Sequence, residues 1–393
     1  MYRHTILRTL LLTLTLVAVA GAENAAPAPR QQTGKTTIRK KVTRKRIRKS
    51  AAAAAKPVRV TARRTARVRR VYRSPWTEPT YADSASGDRA YGDDPVVRKA
   101  AVEGLGPYNG TVVAVDPNTG RVLTIVNQRV ALESGFQPCS TIKIPVALAA
   151  LSEGLVERTT PIRLTRHTKM DLTYALAHSN NAYFANLGIK LGYDRFAYYA
   201  RQFGLGEKAG LDIPGEEAGV FPDAPPKNGG MGMMTSFGEG IAWTPLELAA
   251  LISAISNGGT LYYLQYPQTQ QEVAEFTPRV KRYLDIAQYI PEIKPGMMGA
   301  VEYGTARRAV YDPEAPVCGK TGTCTGGTTH LGWFGSFSDF GQSKIVIVVL
   351  LTGGYGVSGP TAAQISGSIY RKLQQAGYFG RKPMFSPAIL VPR

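Results

Sequence analysis

Three short segments of this 393-residue chain carry residue types that could perform covalent chemistry together. Ser140-Thr141-Ile142-Lys143 places a hydroxyl three residues ahead of an amine at a predicted helix start, so both side chains share one face. A serine hydroxyl is a poor nucleophile until a neighbouring base takes its proton. Lysine serves as that base when burial or nearby positive charge lowers its pKa. The helix N-terminus adds a positive dipole end suited to a developing oxyanion. Ser179-Asn180-Asn181, between two helical patterns, supplies a second hydroxyl that could relay protons and, at Asn181, a carboxamide that could hold a substrate amide. Lys320-Thr321-Gly322, followed by Thr323, falls on a predicted strand. Its cation and hydroxyls suit a carboxylate, and its glycine lets an extended peptide lie against the strand edge. Taken singly, each segment has an ordinary reading: a serine N-cap with a surface lysine, a polar loop with an N-cap, and an edge strand with a gatekeeper lysine. Together they are more informative, because each pattern occurs once, in this order, on a helix start, a loop and a strand.

The elements that must position these residues follow from periodicity and turn signals. Residues 111–115 and 122–126, joined by Asp116-Pro117-Asn118-Thr119-Gly120, read as a β-hairpin. Helical patterns cover 140–153, 171–177, 182–191 and 194–203. Thr244-Pro245-Leu246-Glu247 combines Pro at the first helical position with a capping box, opening a helix that Asn257-Gly258-Gly259 closes. A further helix is predicted at 295–303, then strands near 316–323, 330–338 and 344–351, and a last helix over 361–375. Two strands, an all-helical middle, three strands and a terminal helix predict an α+β domain, with helices packed on a mostly antiparallel sheet.

The motif set resembles the transpeptidase domain of penicillin-binding proteins, within the serine DD-peptidase and β-lactamase-like superfamily, over residues 105–378. Longer stretches share the likeness: 111–127, 188–219, Ser236-Phe237-Gly238-Glu239-Gly240 with Thr244-Pro245-Leu246, 299–306, 319–323 and 333–337. The resemblance implies a D,D-transpeptidase of peptidoglycan cross-linking that acts on D-Ala-D-Ala stem peptides. Ser140 would be the acylated nucleophile, Lys143 its general base and Ser179 a helper in proton transfer. Asn181 would bind the peptide amide, while Lys320, Thr321 and Thr323 would hold the terminal carboxylate beside Gly322. The N–H groups of Ser140 and Thr323 would form the oxyanion hole. β-Lactams would be covalent inhibitors, and neither a metal nor an organic cofactor is implied. A D,D-carboxypeptidase would use the same residues. The stretch 138–145 also resembles class D β-lactamases and penicillin-sensor domains, which usually carry an apolar residue where Asn181 sits and hydrolyse through a carboxylated lysine. A degenerate wall-binding protein is a further reading, against which the complete motif set argues.

Charge divides the chain. It carries 48 basic and 28 acidic residues, and residues 1–100 hold a net charge of +17 out of the total of +20. Between 30 and 73 there are 18 Lys/Arg and no acidic residue, a segment too polar and self-repelling to fold alone. It is expected to be a solvated arm or a tether to an anionic membrane or wall surface. The near-neutral remainder excludes a uniformly basic nucleic-acid-binding domain. Residues 1–22, with Arg3, Arg8, an apolar run and Ala20-Gly21-Ala22, read as an export signal, placing the protein in the periplasm or on the outer face of the cytoplasmic membrane. The expected division is therefore signal 1–22, basic arm and linker 23–100, catalytic domain 101–380 and tail 381–393. A chain starting near residue 101 should fold with a complete site. Of the three cysteines, Cys318 and Cys324 would lie roughly 20 Å apart on one extended strand, too far to bridge. Cys139 reads as a small structural hydrophobe or a redox-sensitive thiol.

Overall fold

A computed structural model describes residues 76–382. The signal-like segment, the basic stretch 30–73 and most of the expected tail lie outside the described residues. The chain enters through α1 (Pro95–Leu105) and the hairpin β1 (Gly110–Val115) and β2 (Val122–Val126), then a short α2 (Gln128–Leu132). A 3₁₀ turn, Cys139–Ile142, runs directly into α3 (Lys143–Ser152). The middle holds a small ribbon, β3 (Ile162–Arg163) and β4 (Lys169–Met170), followed by α4 (Leu172–Ala177), α5 (Asn181–Leu191), α6 (Tyr193–Gln202), α7 (Gly230–Phe237) and α8 (Pro245–Asn257). A second ribbon, β5 (Thr260–Tyr262) and β6 (Val280–Tyr283), brackets α9 (Gln270–Ala274). The chain then passes through α10 (Ile290–Glu302) to β7 (Val317–Gly326), β8 (Thr329–Ser338), β9 (Val346–Gly353) and α11 (Gly359–Gln375).

One five-stranded sheet, ordered β2-β1-β9-β8-β7, is antiparallel throughout. Its central strand β9 is buried at all eight positions, which suits its unbroken Val/Ile/Leu run. Strand alternation sends Ile347, Val349 and Leu351 into one core with α1 and α11, where Val97, Ala101, Leu105 and Ile369 pack. Val346, Val348 and Leu350 enter the opposite core with α3 and α8. Helix α3 is buried from Lys143 to Leu151 and α8 from Pro245 to Ile255, as expected of helices apolar on every side. The capping box of α8 forms as the sequence predicts: Glu247 N–H donates to Thr244 Oγ1 at 3.0 Å, and Thr244 N–H donates to Glu247 Oε2 at 2.6 Å. Burial pushes the Glu247 carboxyl up to about 7.

The middle, expected to be all-helical, carries two short ribbons because only tertiary contact pairs such brief strands, and three further expectations change. First, the domain begins earlier than residue 101. Asp94 caps α1 by accepting from the N–H groups of Val96 and Val97, Pro95 takes the first turn, and Val97 and Ala101 are fully buried. Upstream, the Asp88 carboxylate accepts from the N–H groups of Asn127 and Gln128, and Asp93 accepts from the hydroxyls of Thr124 and Tyr266. Trp76 lies against the His330 ring, with centroids 3.9 Å apart. The Pro, Asp and Tyr content of 76–100, which reads as linker, is capping and anchoring chemistry. Second, α10 starts five residues before the predicted 295 because Pro291, not Pro295, occupies its first turn. Third, Cys139 is neither a plain hydrophobe nor a free thiol. It is bonded to Cys324, with Cα atoms 5.6 Å apart, and Cys318 stays free and buried. Such a bond closing a long loop typically stabilises by about 2–4 kcal/mol.

The anchoring of residues 76–100 sets an expected outcome. A chain beginning at 76 should melt like the full-length protein. One beginning at 101 loses the Val97 burial, the α1 cap and the Asp88 and Asp93 hydrogen bonds, and should melt lower by roughly 10 °C or more in thermal denaturation.

Candidate active site

Three elements converge on one amine. Lys143 opens α3, and its side chain is wholly buried. Ser140 sits in the preceding 3₁₀ turn, a geometry in which residues three apart eclipse, so the spacing read from the sequence brings the hydroxyl directly over the amine. The Nζ to Ser140 Oγ distance is 2.9 Å. The chain between α4 and α5 supplies the other partners. Ser179 occupies a left-handed backbone conformation, φ 57°, which turns the chain sharply between the helices. Asn180 caps α5 by accepting from the Tyr183 N–H. Lys143 Nζ donates to the Ser179 carbonyl at 2.9 Å and to Asn181 Oδ1 at 2.5 Å, and lies 3.1 Å from Ser179 Oγ.

Burial pushes the Lys143 amine down to about 7. The surrounding oxygens match a neutral amine. Its two N–H groups meet two obligate acceptors, the Ser179 carbonyl and Asn181 Oδ1, and its lone pair is left to the hydroxyls of Ser140 and Ser179. A base in that state can take a proton from Ser140 Oγ, and the second hydroxyl at 3.1 Å offers a route to pass it on.

The third wall is β7, the open edge of the sheet. Strand alternation separates its residues. Thr321 and Thr323 lie on one side: Thr321 Oγ1 is 2.6 Å from Thr305 Oγ1, and Thr323 Oγ1 accepts from the Gly359 N–H at the start of α11. Lys320, Gly322 and Cys324 face the turn that carries Ser140. A Cβ on Gly322 would stand 2.9 Å from the Pro138 carbonyl oxygen and 3.3 Å from Cys139 Cβ, so only glycine lets the strand lie this close. Lys320 is placed differently from the sequence expectation of a cation gripping substrate. It is fully buried, and its Nζ donates to the Thr321 carbonyl at 3.0 Å. Burial lowers its pKa well below the usual value, and the Lys143 amine adds repulsion. It therefore lies beneath the surface, while Thr323 and Asn181 are exposed.

Of the eight residues singled out from the sequence, Ser140, Lys143, Ser179 and Asn181 are in direct contact, and Gly322 packs on the turn that carries Ser140, while Thr321 and Thr323 turn to the other side of β7 and Lys320 lies buried. The structure adds others. Thr305 falls in the stretch 299–306, whose likeness to the family carried no assigned role, and its contact with Thr321 supplies one. The rings of Tyr174, His178 and Tyr303 meet in tilted contacts just ahead of Ser179, with His178 4.1 Å from Tyr174 and 5.7 Å from Tyr303 between centroids. Tyr174 lies on α4 and His178 is its C-cap, one turn on, and Tyr303, the C-cap of α10, reaches them only through the docking of α10 on α4, which the sequence does not reveal.

Comparison with known proteins gives the chain a family and a fold. The chain is 28% identical over 328 residues to stage V sporulation protein D of Bacillus subtilis, covering 70% of this chain and 51% of that protein. It is 24% identical over 284 residues to the peptidoglycan D,D-transpeptidase MrdA of Acinetobacter baumannii, covering 57% of this chain and 42% of that one. The chain thus spans about half the length, or less, of these curated relatives. Among solved structures, Pseudomonas aeruginosa PBP2, crystallised in complex with WCK 5153, superposes with a TM-score of 0.62 at 23% identity, over 75% of this chain and 77% of that one. PBPA from Mycobacterium tuberculosis gives 0.60 at 24%, over 72% and 81%. Both share the fold described above. Residues 110–373 match the penicillin binding protein transpeptidase domain, and the chain belongs to that family.

Proposed function

We propose that the protein is a serine D,D-transpeptidase acting on the D-Ala-D-Ala end of peptidoglycan stem peptides through an acyl-enzyme on Ser140. The observation that carries this reading is the buried Lys143 amine, lowered to about 7 and 2.9 Å from Ser140 Oγ. In acylation, Ser140 Oγ attacks the carbonyl between the two D-alanines as its proton passes to Lys143. The oxyanion lies between the N–H groups of Ser140 and Thr323, an arrangement whose loss of one donor typically costs about 10²–10³ in rate. The peptide bond breaks, and the departing D-alanine amine takes a proton relayed through Ser179. An amine from a second stem then displaces Ser140, giving a cross-link; water in its place gives trimming. Thr321 and Thr323, backed by Lys320, receive the terminal carboxylate, and the Asn181 amide NH₂ donates to the peptide.

A β-lactam follows the same first step, but ring opening leaves the acyl group tethered. A hydrolase working through a carboxylated lysine needs an apolar pocket around that amine. Lys143 instead has Asn181 Oδ1 at 2.5 Å and the Ser179 carbonyl at 2.9 Å, which favours the transpeptidase. The Cys139–Cys324 disulfide favours an oxidising compartment, so we place the protein outside the cytoplasm, exported by residues 1–22. The 18 positive charges of 30–73 would hold it at lipid headgroups or anionic wall polymers.

Intact-mass spectrometry with benzylpenicillin should show one adduct that persists for minutes and is absent in Ser140→Ala, which keeps its melting temperature within a few degrees. An adduct of full yield in that variant, or rapid turnover of a chromogenic cephalosporin, would overturn the assignment. The acylation rate constant should rise with pH through a midpoint near 7, as Lys143 loses its proton, and fall about tenfold per pH unit well below it; a flat profile between pH 5.5 and 8 would remove Lys143 as the base. Co-sedimentation of the full-length protein with anionic vesicles or purified wall should weaken steeply between 50 and 500 mM salt, the range over which the Debye length shrinks to a few ångströms. A chain starting at 76 should not co-sediment, and equal pelleting of the two would end the tether idea.

A further inference from the structure

The disulfide joins the two residues that flank the proposed chemistry. Cys139 directly precedes Ser140, Cys324 directly follows Thr323, and 185 residues of sequence separate them. The N–H of Ser140 belongs to the peptide unit leaving Cys139, and Thr323 is bonded to Cys324, so the bridge ties together the segments that carry both oxyanion donors. The fit beneath it is close, because Gly322 leaves no space for a side chain against Pro138 and Cys139. Cys139 also holds a left-handed backbone, φ 51°, a conformation unfavourable for a residue with a Cβ and retained only where the surroundings impose it. A second tie sits one step further back, where the buried Trp333 Nε1–H donates to the Gln137 carbonyl at 3.0 Å. With the disulfide opened, that hydrogen bond keeps the turn docked at residue 137 while 139 and 140 gain slack.

We propose that the Cys139–Cys324 disulfide is a positioning device for acylation, and that its reduction by a dithiol converts the site from fast to slow acylation without unfolding the domain. The proposal rests on Ser140 as the acylated residue. Cys139 is buried and Cys324 is half-buried at the end of the open-edged strand, so the incoming thiolate attacks Cys324 Sγ. The S–S bond breaks, Cys139 leaves as a thiolate and is protonated, and a mixed disulfide remains on Cys324. The reductant's second thiolate displaces Cys324, which is protonated in turn. Two electrons and two protons pass from the dithiol, which ends as its own disulfide, to the two cysteines. Cys318, buried in the sheet with its thiol pushed up to about 12, takes no part.

The test is acylation of the full-length protein by a fluorescent penicillin over a range of concentrations, so that the rate constant at saturation is separated from the half-saturating concentration and from the final labelled fraction. Oxidised protein, protein reduced with dithiothreitol, the double variant Cys139→Ala/Cys324→Ala and the single variant Cys318→Ala are compared. The expected result is a saturating rate constant at least tenfold lower in the reduced protein and in the double variant. The half-saturating concentration should stay within threefold and labelling should reach full stoichiometry. Reoxidation should restore the rate, dithiothreitol should have no further effect on the double variant, and Cys318→Ala should behave like the unmodified protein. A saturating rate within twofold of the oxidised value after reduction overturns the proposal and leaves Ser140 in place. A lower labelled fraction with an unchanged rate constant makes the bond a structural staple and also overturns it. Failure of the oxidised protein to label at all removes the Ser140 reading, and the proposal with it.

Discussion

An amine taken out of water is the constraint around which the molecule is arranged. A buried lysine without partners is costly in either protonation state, and Lys143 is satisfied only because three separately folded pieces deliver oxygen atoms to it: the 3₁₀ turn before α3, the α4–α5 junction and the first residue of α5. Shifting any one of them strands a polar group in the core. A second buried amine, Lys320, sits near enough to repel the first. Two such groups cannot both carry full charge cheaply, which together with burial favours the neutral amine that the oxygens around Lys143 suit.

The scaffold makes this arrangement rigid by burying its central members on every side. Strand β9 has no solvent face, and α3 is enclosed by α5, α6 and α10. Ser140 therefore sits on the turn that leads into an enclosed helix, and the opposite wall is β7, an edge strand of the main sheet whose last residues reach solvent. Edge strands are usually protected against unwanted pairing. Here the Cys139–Ile142 turn, the Gly322 contact and the N-terminus of α11 crowd the edge around the Lys320–Thr323 segment.

Much of this was legible from sequence because the chemistry is local. The i, i+3 spacing of Ser140 and Lys143, the capping box at Thr244 and the alternation along β9 each depend on a few neighbouring residues. The central sheet was legible for the same reason. What escaped depends on contacts made across the chain. Asp88 and Asp93 look like linker residues until Asn127, Thr124 and Tyr266 meet them. The ribbon of β5 and β6 is two short, weakly patterned strands whose pairing only tertiary contact decides. The rejection of a Cys318–Cys324 bond by strand geometry was sound, yet it said nothing of Cys139, whose approach to Cys324 is set by how α3 docks on the sheet. Lys320 was placed on the correct strand, but its burial follows from the face it occupies against that same turn.

The order of the cysteines along the chain bears on how the protein is made. A polypeptide that emerges N-terminus first presents Cys139, then Cys318, then Cys324, and the native bond passes over the middle one. Oxidation before Cys324 has appeared has only Cys318 to offer Cys139, and that bond would hold β7 against the Cys139–Ile142 turn six residues out of place. The native pairing is secured if the sheet closes first, since Cys318 then disappears into the core as a poorly ionised thiol and only the correct partner remains at hand. Maturation is in that case a matter of sequence in time, with packing preceding covalent closure, and an oxidant that acts before the sheet has closed meets two thiols where the folded chain offers one.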